Sequence, residues 1–210
     1  MQTTTNRAKL LFMTQIALLI AIEIIMAYTP LGYLRVGPLT MSFLTVPVAI
    51  GACVLGPAAG AILGGVFGIT SYINAVTGTS AMTGAMFQLN PITCAITCIG
   101  ARILMGFLVG LIFRLMSKVD PKKIFRYIVA SFAAPLLNTI LFMGCIVLFF
   151  YNSDYVQGLV TSLGATNPFM FVILLVGVQG LVELVVCGVV STAVSKAVDL
   201  FTSRNSVKKK

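Results

Sequence analysis

An arginine stands about halfway along an apolar run that otherwise has the makings of a membrane-spanning helix, and no other feature constrains the fold as strongly. The run extends from Asn90 to Met116, and Arg102 lies 12 residues past its start. At about 1.5 Å of rise per residue that is roughly 18 Å, close to the middle of a hydrocarbon core about 30 Å thick. A guanidinium facing lipid at that depth costs about 3 kcal/mol or more, so it has to face the protein interior or a wet cavity and find acceptors there. Gly106 and Gly110 continue its four-residue row and leave a smooth strip for a second helix. The segment reads as one wall of an internal polar site. The alternative is a structural arginine hydrogen-bonded to backbone carbonyls.

The surrounding composition fits a membrane interior. With 59% hydrophobic and 9% charged residues and a mean hydropathy of +1.05, the chain lies far from soluble usage, in which about a quarter of residues are charged. Its 210 residues leave room for six crossings and no soluble domain. The expected fold is all-α, a single polytopic domain with spans near 10–28, 41–55, 58–73, 90–116, 124–150 and 168–196. The second span is short and interrupted at Pro47. Gly60, Gly64 and Gly68 form a close-packing row in the third, which lacks the Lys and the strand-to-helix context of a phosphate loop. The stretches 74–89 and 151–167 read as polar loops, the first with a re-entrant segment as an alternative.

Basic residues fix the orientation. The N-terminal tail carries Arg7 and Lys9, the connection between the fourth and fifth spans carries Arg114, Lys118, Lys122, Lys123 and Arg126, and the C-terminal end carries Lys196, Arg204 and Lys208 to Lys210. On the opposite side stands Arg35. Twelve against one places both termini in the cytoplasm of a multi-pass cell-membrane protein. The polar loops around Arg35, Thr79 and Asp154 then lie outside, above the buried polar residues.

Four of those residues share a depth. Asn138 lies 12 residues from Phe150, and Gln179 with Glu183 makes an i, i+4 pair about 15 residues into the last span, so both groups approach the height of Arg102. Together they point to a binding cavity open to the outside, with Asn90 at its edge and aromatics such as Phe67, Tyr72 and Phe142 in its lining. A polar lock in which Arg102 pairs with Glu183 is the competing arrangement. Glu23 is a further buried-charge candidate, and Ala17 with Ala21 leaves a flat patch for another helix.

Several function classes drop out. The chain has no His, which removes the usual proton shuttle and the commonest metal ligand, and its five Cys fall in apolar runs. No metal, cofactor or catalytic residue is expected. A rhomboid-like hydrolase needs a Ser with a His, a CDP-alcohol transferase needs clustered aspartates, and a channel has little use for a bulky mixed polar cluster. Nucleic acid is excluded as a partner because no basic face carries interleaved aromatics.

The six-span size, the Ala17-xxx-Ala21 pair, the Gly56-Pro57 turn before a glycine-ridged helix and the Asn138-Thr139 pair resemble, over the whole chain, the substrate-binding S-components of energy-coupling factor vitamin transporters. The resemblance implies a subunit that binds a vitamin near the outer face and docks through its first three helices on a transmembrane T-component carried by two cytoplasmic ATPases. The run from Thr29 to Gly56 and the pattern around Arg102 are most similar to pantothenate-type members, and riboflavin, folate and cobalamin members share the architecture. An anionic vitamin suits Arg102 better than a neutral flavin does.

Overall fold

The computed structural model describes residues 2–36, 39–120 and 124–207, with side chains over 9–33, 41–120 and 124–201. Lys122, Lys123 and Lys208 to Lys210 of the basic clusters lie outside the described residues, as do Gly37, Pro38 and Pro121. The architecture is all-α. Helix α1 (Gln2–Ala27) leads into a short antiparallel hairpin of β1 (Tyr33–Val36) and β2 (Leu39–Ser42), with Tyr33 opposite Ser42. Then come α2 (Thr45–Leu55), α3 (Pro57–Val76), α4 (Ala81–Leu89), α5 (Pro91–Ala95), a π-helical turn (Ile96–Gly100), α6 (Ala101–Met116), α7 (Phe125–Phe150), α8 (Asp154–Ser162) and α9 (Pro168–Val207). Among the described residues five helical segments are long and apolar enough to cross a membrane: Lys9–Ala27, Pro57–Val76, Pro91–Met116, Phe125–Phe150 and Pro168–Phe201.

The sixth crossing differs from expectation. Instead of a span over 41–55, an 11-residue helix follows the hairpin. At about 1.5 Å per residue it covers roughly half the hydrocarbon core. Pro47 does not break it, because it sits in the first turn, where a missing N–H leaves no helical bond unmade. The hairpin before it is anchored at both sides: Phe43 N–H closes it on the Gly32 carbonyl, and Ser42 ends beside Glu183 in the middle of α9. Helix α2 is apolar all round and enclosed, with Val48, Ala49 and Ala52 fully buried, as expected of a helix packed on every side.

The glycine rows expected to pack closely do so against each other. A methyl group at Gly64 would overlap the Arg102 carbonyl, one at Gly60 the Gly106 carbonyl, and one at Gly68 would come within 2.6 Å of the Ile99 Cα. Helices α3 and α6 therefore touch backbone to backbone, and even Gly64→Ala brings overpacking of the kind that costs about 1–3 kcal/mol. This seam fixes the height of Arg102 against α3.

The polar stretches are more ordered than loops. Helix α3 runs on to Val76, Gly78 turns the chain at φ 68, and α4 follows. In the second stretch Ser153 Oγ caps α8 by accepting from the Val156 N–H at 3.4 Å. Helix α9 is interrupted at Gly177, whose φ of 39 and ψ of −134 are open to glycine and strained for other residues. At the opposite end of the bundle Arg126 joins three helices: its guanidinium donates to the Tyr127 hydroxyl at 3.1 Å, lies over the Phe113 ring of α6 at 5.1 Å and faces Asp199 of α9 at 3.8 Å.

Candidate functional site

A cavity of about 580 Å³ opens at the end of the bundle where α1 finishes and α3 gives way to α4, in the size range of small-molecule sites. Tyr28, Thr29 and Pro30 form one side of its rim and Thr77, Thr79 and Ser80 the other. Deeper, Arg102 of α6, Asn138 of α7, and Gln179 and Glu183 of α9 reach the same space. Helix α7 packs between α6 and α9, so the four form a row across three adjacent helices. The depth count that grouped them thus corresponds to one wall.

Arg102 is held in an unusual way. The π turn shifts the backbone ladder by one residue, so that the Ala101 N–H bonds the Ile96 carbonyl in place of that of Thr97. Carbonyls of the turn are left to the guanidinium, which donates through Nη1 to the Cys98 carbonyl at 3.0 Å and toward that of Thr97 at 3.5 Å. The Arg102 Cζ lies 4.5 Å from the Phe67 ring centroid and 4.6 Å from that of Phe142, within cation–π range. Among the described residues the ion pair found within 4.0 Å joins Arg126 and Asp199, so Arg102 and Glu183 do not form the polar lock. Backbone carbonyls take the lock's place, and Arg102 Nε is buried without a partner.

The acceptors nearby are also incompletely used. Glu183 is buried; its Oε2 accepts from the Ser42 N–H at 3.4 Å, while its Oε1 and the Asn138 Oδ1 have no partner. Buried polar atoms in native proteins are nearly always paired, and these unpaired ones belong to residues that line the cavity. Tyr33, at the inner side of the hairpin, sits 3.1 Å from Thr70 Oγ1, and burial pushes its hydroxyl up to about 12, against the opposing pull of Arg102. It is a neutral phenol at physiological pH.

Three expected members of the site are elsewhere. Asn90 is exposed and caps α5, its Oδ1 accepting from the Ile92 and Thr93 N–H groups at 3.1 Å each. Tyr72 turns away to stack edge-on with Phe87 at 5.8 Å, its hydroxyl 3.5 Å from the Pro91 carbonyl. Phe67 is fully buried beneath the guanidinium and supports it without lining the cavity. The loop around Asp154 does not reach the opening either, since α8 packs Val156 and Val160 into the apolar cluster around Cys94, Cys98 and Phe171. Ser42, Ser71, Asn74 and Thr83 line the cavity without having been singled out. Asn74 and Thr83 lie in the polar stretch expected to cover the site, whereas Ser42 is brought in by the hairpin, where Gly37 and Pro38 read as punctuation of a loop and not as a turn between paired strands.

Glu23 is fully buried at the seam between α1 and the bundle and does not line the cavity, and both its carboxyl oxygens lack hydrogen-bond partners. Ala17 and Ala21 are exposed, on a span of which 6% is buried.

A family model described as the ECF transporter substrate-specific component matches residues 11–195, most of the chain and every cavity-lining residue. None of the curated protein sequences matches it.

Proposed function

We propose that this chain, which belongs to the substrate-specific component family of ECF transporters, captures a carboxylate-bearing vitamin, pantothenate before riboflavin, folate or another, in the cavity around Arg102. A membrane transport subunit of this family is not an enzyme, and its work is to bind a small molecule and hand it across. The reading rests on Arg102: a buried cation that lines the cavity, met by no acidic side chain within ion-pair distance among the described residues, and with an unused N–H. A planar guanidinium in a low dielectric matches a carboxylate through two charge-assisted bonds, which a neutral flavin ring does not offer. Asn138 bonds a polar group beside it. Native mass spectrometry of the purified protein tests this directly. The expected result is a bound mass equal to that of pantothenate, and a bound flavin would overturn the preference for an anion.

The same reading gives the partners. Uptake is driven through a transmembrane T-component and two cytoplasmic ATPases, and the exposed Ala17 and Ala21 stripe of α1 is the contact face, bounded elsewhere by lipid. Both termini lie in the cytoplasm. In support, the cavity opens at the end of the bundle opposite the connection that carries Arg114 and Lys118, so that basic connections inside leave the opening outside. A Cys introduced near Lys208 should resist a membrane-impermeant thiol reagent on intact cells and react once the membrane is permeabilised. Labelling of intact cells would reverse the orientation.

A further inference from the structure

We infer that Glu183 recognises hydrogen-bond donors at the end of the ligand remote from its carboxylate, so that the molecule taken is a carboxylate carrying hydroxyl or amine hydrogens and not a simple carboxylate. The inference rests on the vitamin-capture reading and concerns the half of the cavity that Arg102 does not serve. The unpaired atoms divide by type along the wall. On α6 stands Arg102 Nε, a donor, and on α9 the Glu183 Oε1, an acceptor, while Asn138 of α7 between them carries both an amide oxygen and an amide N–H. A ligand complementary to that order presents acceptors toward α6 and donors toward α9.

Glu183 has no cation within ion-pair distance among the described residues, and its other oxygen has one backbone N–H at 3.4 Å, a weak bond. A buried acceptor left in that condition discriminates strongly. A ligand with matching hydrogens satisfies it, whereas one that lacks them expels its water and leaves the oxygen bare. Ser42 belongs to the same arrangement, since its N–H reaches Glu183 Oε2 and the residue lines the cavity, with its hydroxyl buried and unpaired. The end of β2 is thereby tied to the residue that reads the donors.

Isothermal titration of the full chain with two probes tests the assignment: pantothenate, and an N-acyl β-alanine of the same length without hydroxyls. Wild-type protein should bind pantothenate about tenfold or more tightly than the deoxy compound, the ratio expected for a bond to a charged group. In Glu183→Gln that preference should fall to about threefold or less. Glu183→Met, of similar volume, repeats the comparison, so that a folding defect in one variant leaves the ratio measurable in the other. Equal affinities in the wild type, or a preference that survives both substitutions, would overturn the role of Glu183 and leave the Arg102 reading standing. A folded wild type that binds neither probe overturns both.

Discussion

Arg102→Gln should weaken pantothenate binding by roughly 2 kcal/mol or more, about thirtyfold in affinity, while the protein still folds. The loss follows from removing a buried cation from opposite the ligand's carboxylate. The survival of the fold follows from what Arg102 bonds within the protein. Its partners are two carbonyls of its own helical segment and two phenyl rings, and no carboxylate is left stranded when the charge is deleted. Glu183→Gln should accordingly fail to rescue the variant, whereas a salt-bridge partner would rescue it. Lys is a poor substitute, since an ammonium lacks the planar fork. Titration with pantothenate alongside thermal unfolding of Arg102→Gln, Glu183→Gln and the double variant separates the cases. A stable Arg102→Gln protein with unchanged affinity would take the arginine out of the site.

The second large effect is expected outside the cavity. Replacing Ala17 and Ala21 together by Leu should abolish vitamin uptake by cells while leaving the affinity of the isolated chain unaltered. Both positions are exposed, so added methyl groups displace nothing within this subunit. On a face where another helix approaches to backbone distance, they hold it away. Uptake of labelled vitamin and titration of the purified variant give the two readings. A matching loss of affinity would mean that the pair serves this chain's own packing.

Much of the wall could be read from the sequence because depth in a membrane is a matter of counting. Counting residues from the end of each span groups Arg102, Asn138, Gln179 and Glu183, and all four line the one cavity. Counting gives no direction around the helix axis, and the misplaced aromatic follows from that. Ser71 lines the cavity while Tyr72, about 100° further round α3, packs against Phe87. Asn90 was misread for another reason: an Asn before a Pro at the first helical position is a helix start, and its side chain is used by its own backbone.

The short α2 and the hairpin were concealed by their setting. An apolar stretch near Pro47 reads as a weak span whether it meets lipid or, as here, other helices. The Val36 to Leu39 connection lacks the Asn-Gly or Asp-Gly signal of a tight hairpin. The π turn has no sequence signature comparable to the glycine rows, which gave the α3 and α6 seam away by their spacing.

That turn has a bearing on how the subunit lets its cargo go. If a carboxylate side chain balanced Arg102, each arriving vitamin would have to evict it, and each departing one would be chased out by its return. Carbonyl dipoles behave differently: they solvate the cation without neutralising it, and they belong to the backbone of its own helical segment. The cation is held without an internal counter-ion, since among the described residues no carboxylate lies within ion-pair distance of it. On the proposed reading, unloading then calls for a deformation of the wall rather than for a competing carboxylate.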